Sequence, residues 1–179
     1  MPIEPLLPLF HRLNREHFEG SLAALADPPL QLRWSDGRMT RTAGLYRRGP
    51  ALCEIVLSRP LLGPLPAEAT LGTLCHEMIH AWIDRVLGSR EVHGPQFRAC
   101  MARINAGQAQ FQVSLRHRYP LPAGLAGWLA HCPSCGQTQA YRRRRQGLAC
   151  RRCCERHNQG HWDARYALNF SRSEQATVG

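Results

Sequence analysis

Thr73-Leu74-Cys75-His76-Glu77-Met78-Ile79-His80-Ala81-Trp82 decides the reading of this 179-residue chain. Histidines four residues apart on a helix are separated by about 6 Å along the axis and about 40° beyond a full turn, so both imidazoles reach one point. On a wheel wound from Ala67 to Leu87, the residues Leu71, Leu74, Cys75, Met78, Ile79, Trp82, Ile83 and Val86 cover more than half of the circumference. Such a helix is largely buried. Its remaining stripe collects Thr73, His76, Glu77, His80 and Asp84. Burying that stripe without partners costs on the order of a few kcal/mol per group, so it faces either a polar cleft or a set of satisfying partners, and a cleft with metal is the economical answer. Pro66 opens this helix and Gly88 closes it just after Leu87.

A catalytic zinc takes three protein ligands and keeps one position open. His93, 13 residues after His80 and directly before Gly94-Pro95, is the leading candidate for the third. Asp84 competes from about 12 Å along the helix axis from His76, and Glu91 is a weaker rival. A second helix is expected from Pro95 to Ala106, with Phe97, Met101 and Ile104 on one face and Gly107 beyond it. Upstream, apolar spacing predicts a helix from Pro8 to Glu19 stopped by Gly20. Strands follow at Leu30 to Trp34, around Thr42 to Tyr46, and at Leu52 to Ser58, read as one antiparallel meander. Cys53, Cys75 and Cys100 sit in apolar patterns and are expected in the core. The fold class is therefore α+β: a small antiparallel sheet packed with the HExxH helix and flanking helices, followed by a small cysteine-bearing module.

Cys132, Cys135, Cys150 and Cys153 form two C-x2-C pairs separated by 14 residues, a structural zinc signature in which two turns complete a tetrahedron. Cys154 leaves the register of the second pair open. The organisation expected is a domain over residues 1–118, a Pro/Gly linker over 119–127, a basic zinc ribbon over 128–170 and a polar tail over 171–179. Two zinc ions are thus expected, one catalytic and one structural.

All 23 basic residues are arginines. Through Leu115, 12 arginines face 10 acidic residues; from Arg116 onward, 11 face 3. That asymmetry points to a polyanion, nucleic acid above all. Arg142, Arg143, Arg144, Arg145, Arg151, Arg152, Arg156 and Arg165 interleave with Tyr141, Trp162, Tyr166 and Phe170. Arginine for phosphate and aromatics for stacking is the combination for single-stranded or distorted DNA. Trp162 and Trp128 are the stacking candidates; Tyr166 and Phe170 are equally suited to packing. His131, His157 and His161 are read as surface histidines. Hydrophobic content of 44% excludes a disordered chain. Met1 to Phe10 lacks the pattern of an export signal, and the longest nearly apolar run, Leu121 to Ala130, is about half a membrane span. A cytoplasmic, nucleoid-associated protein without membrane partners is expected, in which eight cysteines do not form a disulfide framework.

From Leu9 to Asn105 the chain resembles the SprT-like metallopeptidases, the family related to the Spartan protease of DNA–protein crosslinks. The resemblance rests on Leu9-Phe10, Leu13-Asn14 and Phe18-Glu19-Gly20; Trp34-Ser35 with Arg38-Met39-Thr40-Arg41-Thr42-Ala43-Gly44; and Ile55-Val56-Leu57-Ser58. It continues through Thr73 to Trp82, then His93-Gly94-Pro95-Gln96-Phe97 and Met101-Ala102-Arg103-Ile104-Asn105. It implies zinc on His76, His80 and His93, with Glu77 as the base that takes a proton from the zinc-activated water. It also implies a C-terminal ribbon ligated by Cys132, Cys135, Cys150 and Cys153. The activity implied is endoproteolysis of DNA-associated or crosslinked proteins. Two alternatives stand beside it: a nucleic-acid-binding ribbon protein with a vestigial or structural metal site, and a metallohydrolase of a non-peptide substrate. A second donor to the reacting carbonyl oxygen is left open among Tyr46, His117 and Tyr119.

Overall fold

Apolar residues at helical spacing place Leu6, Leu9, Phe10, Leu13 and Phe18 on the buried face of α1 (Leu6–Phe18) in the computed structural model, which describes residues 5–23, 28–117 and 119–173. The helix begins two residues before the expected Pro8, because a proline in the first turn lacks only an N–H that would have no helical partner. Glu19 and Gly20 then turn left-handed (φ 55° and 75°), and the Gly20 N–H closes the end on the Asn14 carbonyl at 3.0 Å.

The three strands β1 (Leu30–Trp34), β2 (Gly44–Gly49) and β3 (Leu52–Leu57) do not form the expected meander. Their order is β1-β3-β2, with β2 antiparallel and β1 parallel to β3. The reason lies in β3, where Cys53 to Leu57 are buried without a break. A strand covered on both faces belongs at the centre, whereas β1 alternates half-buried and exposed residues as an edge strand does. Residues 35–43 carry the chain across the end of β3. There the Ser35 N–H donates to the Leu57 carbonyl and the Ser58 N–H to the Ala43 carbonyl, both at 2.8 Å.

Glu54 is the polar exception in that central strand, with its side chain only 3% exposed. Arg33 of β1 donates to it at 2.9 Å from one side, and Arg47 of β2 donates from the other. Burial alone would push the Glu54 carboxyl up, but the two guanidinium groups outweigh it and hold its pKa below the ordinary 4.5. A depressed folded-state pKa gives stability that is complete above about pH 4.5 and is lost as pH falls through the folded value. Because both arginines are half exposed and screened, Glu54→Gln is expected to cost about 1–2 kcal/mol at pH 7. The gap between the two proteins in urea unfolding should narrow as pH falls below about 4.5; a gap independent of pH would deny the clamp its role.

The short α2 (Arg59–Leu62) is capped by Ser58, whose Oγ accepts from the Leu61 N–H at 3.2 Å. α3 (Ala67–Arg85) follows Pro66 and buries Leu71, Leu74, Cys75, Met78, Ile79 and Ile83, together with the polar Thr73, His76 and Glu77. It ends sooner than Leu87. Val86, expected on the buried face, is 40% exposed because it lies past the last packed turn. In α4 (Pro95–Gly107), Cys100 joins Phe97 and Ile104 in the core, and the expected Met101 is only half-buried. Cys53 and Cys75 are fully buried as expected.

Residues Met1–Arg118 form one compact unit and Tyr119–Gly179 a second. In the second, β4 (Trp128–His131) lies between β5 (Thr138–Tyr141) and β6 (Asn169–Arg172), antiparallel to both. α5 (Arg151–His157) stands between β5 and β6 in sequence. A 3-10 turn at Ala123–Leu125 occupies the segment expected as linker, and β6 makes strand of Ser171 and Arg172, which were expected in the tail. Residues 174–179 of that tail lie outside the described residues. The core of this unit is Cys132, Cys150, Cys153, Cys154 and Tyr166. Among the described residues, no helix is long and apolar enough to cross a membrane.

Candidate active site and metal centres

α3 delivers His76 and His80 from one face, and the turn before α4 returns His93 over them. The Nε2 atoms of His80 and His93 each lie 3.2 Å from Nε2 of His76. Ligands about 2.0–2.1 Å from a tetrahedral zinc stand about 3.3 Å apart, which both distances match, and all three donor atoms lie within 4.8 Å of one another. His76 Nδ1 lies 2.8 Å from the Ser114 carbonyl, an oxygen that can only accept. The ring proton therefore sits on Nδ1, and the Nε2 lone pair is left facing the other two rings. Burial, then the neighbouring His117 and His80, drive the His76 pKa down to about 3. Burial and His93 bring His80 down to about 4. Both rings are neutral at pH 7, the form that binds metal.

Glu77 is 5% exposed and points to the edge strand β2. Burial pushes its pKa up to about 7, opposed by the Tyr46 backbone N–H, which donates to the carboxylate. That approach depends on Gly44. A Cβ there would fall 2.5 Å from Glu77 Oε1, 2.7 Å from its Cγ and 2.8 Å from the Thr73 methyl. The Tyr46 N–H is turned from β3 toward Glu77, so by the two-residue alternation of a strand Gly44 and Arg48 also present backbone groups on that side. The cleft so formed measures about 1150 Å³ and is lined by Gly44, Tyr46, His76, Glu77, His80 and His93 among others.

The rivals for the metal are engaged elsewhere. Asp84 accepts from the Tyr46 hydroxyl at 2.6 Å and pairs with Arg48 at 3.3 Å. Burial first, and Asp84 second, raise the Tyr46 pKa above its usual range. Glu91 accepts from the Phe97 N–H at 2.7 Å and so caps the first turn of α4. Sequence reasoning missed these ties, and it missed how close His117 comes: its ring centroid is 4.9 Å from that of His76. Of the two strands that the sequence offers as a substrate-holding edge, Leu52 to Ser58 or its neighbour, the structure favours the neighbour, because β3 is central and β2 lines the cleft.

In the second unit, Cys132 Sγ lies 3.8 Å from Cys153 Sγ and Cys135 Sγ 3.7 Å from Cys150 Sγ. With zinc–sulfur bonds of about 2.3 Å, a tetrahedral edge is about 3.8 Å. The four donor atoms lie within 4.8 Å of one another; Cys154 is buried beside the cluster but is not of it. His131, His157 and His161 are exposed and outside the set. Arg142 to Arg145 are exposed on the connection after β5. Arg144 and Arg172 both stack on the half-buried Trp128, with centroid distances of 5.9 and 5.1 Å. Arg151 pairs with Glu155 and Arg165 with Asp163. Trp162 is 57% exposed, whereas Tyr166 is buried and Phe170 packs on Tyr141 at 5.2 Å.

An HExxH helix packed on a small sheet, with a third histidine from the following turn, and a four-cysteine module each gather side-chain donors of the kind that hold a metal ion. The SprT-like family model matches residues 6–117, and the chain belongs to that family. It is 39% identical over 109 residues to the human DNA-dependent metalloprotease SPRTN, covering 59% of this chain and 21% of that protein. The DNA-dependent metalloprotease dvc-1 of Caenorhabditis elegans is 40% identical over 111 residues, covering 58% and 28%. SPRTN of Danio rerio is 39% identical over 115 residues, covering 62% and 17%. The chain thus spans between about a sixth and about a quarter of the length of these relatives.

Proposed function

We propose that this chain is a zinc-dependent endopeptidase that binds DNA, single-stranded or distorted, and cleaves proteins bound or crosslinked to it. The observation that carries the reading is the convergence of three imidazole Nε2 atoms beside the Glu77 carboxylate, on the floor of a cleft bordered by an edge strand. His76, His80 and His93 hold the catalytic zinc, and Cys132, Cys135, Cys150 and Cys153 hold the structural one. The relatives named DNA-dependent metalloproteases support the same activity.

Zinc, when bound, supplies a Lewis acid that makes a water acidic near pH 7 and polarises a peptide carbonyl. The chain's own groups do the rest. Edge-strand backbone groups of β2 hold an extended polypeptide without reading its side chains. Glu77 takes the proton of the attacking water on its carboxylate and gives it to the leaving amine nitrogen. Tyr46 N–H and the space left by Gly44 fix that carboxylate in place. Gly44→Ala is expected to lower kcat about 100-fold through a displaced Glu77 and to cost about 1–3 kcal/mol of stability; an unchanged kcat in a folded variant would remove Gly44 from the mechanism.

Selectivity then comes from location. Arg142, Arg143, Arg144, Arg145, Arg151 and Arg152 meet phosphates, and the exposed Trp162 stacks on a base. The test is cleavage of a DNA-binding protein by the zinc-loaded chain with no DNA, with duplex and with single-stranded DNA. Cleavage that requires DNA and is fastest with single strands is expected. DNA binding without any cleavage would favour a nucleic-acid-binding protein whose histidine site is not proteolytic.

A further inference from the structure

We propose that His117 is a further catalytic residue of this site, donating a hydrogen bond from its imidazole to the scissile carbonyl oxygen as that oxygen gains negative charge. The inference rests on the peptidase reading above and adds a group to it. Attack on a peptide carbonyl leaves a charged oxygen, and a donor already aimed at it is worth more than one recruited from solvent.

The segment after α4 is built to deliver that side chain. Asn105 clamps Val113 with two hydrogen bonds, its amide donating to the Val113 carbonyl at 2.8 Å and its oxygen accepting from the Val113 N–H at 2.9 Å. Gln108 binds Phe111 in the same two-way manner, at 2.7 and 3.1 Å. Against α3 the Gln112 carbonyl passes so close to Gly72 that a Cβ there would lie 2.6 Å from it. Ser114 then accepts from His76. Two ties at the end of α4, through Asn105 and Gln108, and two to α3, at Gly72 and His76, thus bring His117 to the cleft wall, where it joins His76 and Glu77 in a group whose donor atoms lie within 4.8 Å of one another.

His117 shares with Glu77 and His76 a second cluster of donor atoms beside the set of His76, His80 and His93, which puts it next to the base. The Tyr46 hydroxyl, another candidate donor, already donates to Asp84. Imidazole carries an N–H in either protonation state, so the role needs no particular charge. The balance is simple. The water oxygen bonds to the carbonyl carbon, its proton passes to Glu77 and on to the leaving nitrogen, and the carbon–nitrogen bond breaks. His117 exchanges no proton.

The experiment compares wild type, His117→Ala and His117→Gln, zinc-loaded and with DNA, for kcat, KM, zinc content and melting temperature. It adds the affinity of a phosphinic peptide, whose tetrahedral oxygens mimic the charged carbonyl oxygen, and of the cleaved product. For His117→Ala a loss of about 100-fold or more in kcat is expected, with KM and zinc content unchanged. Phosphinic-peptide affinity should fall by a similar factor and product affinity should hold, while His117→Gln, which keeps an N–H donor, should recover about tenfold. Unchanged kcat and phosphinic affinity in both variants would overturn the role, and so would loss of zinc in the well-folded Gln variant. A wild type that cleaves nothing under any DNA condition would instead overturn the peptidase reading on which it stands.

Discussion

Cys132→Ser is expected to unfold the C-terminal unit and leave the N-terminal unit folded. The core of the C-terminal unit consists of Cys132, Cys150, Cys153, Cys154 and Tyr166, with Ala149 and Leu168 packed against them. An apolar core of that size cannot offset the chain entropy of a module so small, which is why such modules depend on a metal or a disulfide. Structural zinc contributes about 10–16 kcal/mol to the folding of comparable sites, and Cys132, fully buried, is one of the four cysteines placed to hold such an ion. Hydrogen exchange should show amides of β4, β5 and β6 losing protection while those of β3 and α3 keep theirs. A chelator should reproduce the effect. Protection retained in β4 after removal of the metal would mean that the cysteines pack without it.

Glu77→Gln carries the second large effect, a loss of about 10³–10⁴-fold in cleavage rate with zinc content unchanged. Glutamine keeps the shape of the side chain and can still accept from the Tyr46 N–H, so packing beneath Gly44 is preserved. What it lacks is a site for the proton of the attacking water. A variant that retains more than about a tenth of wild-type activity would move the base elsewhere. This substitution is therefore the control for every DNA-dependent cleavage measured on the chain.

The parts of this site that could be read from sequence are those whose geometry is local. His76 and His80 are one helical turn apart, and the C-x2-C pairs impose their own turn, so spacing alone places the donors. His93 is legible because Gly94-Pro95 marks a sharp entry to the next helix. Parallel pairing of β1 with β3 leaves no local trace, although the apolar run from Cys53 to Leu57, interrupted only by Glu54, carries the sign of a central strand. Glu54 itself reads as an oddity until Arg33 and Arg47 arrive from strands on either side. Asp84 and Glu91 share the chemistry of ligands, and only tertiary structure commits one to Tyr46 and the other to the start of α4. His117 lies 37 residues from His80 in sequence, and neither periodicity nor spacing connects them. Asn105, Gly72 and Ser114 make the connection, each through a backbone carbonyl that no sequence pattern reveals.

We propose that this one chain holds two metal ions, one in each unit. Metal analysis of the purified protein and of His80→Ala tests it directly. Two zinc ions per chain are expected in wild type and one in His80→Ala, with β4, β5 and β6 still protected from exchange. One ion in wild type, or two in His80→Ala, would contradict it.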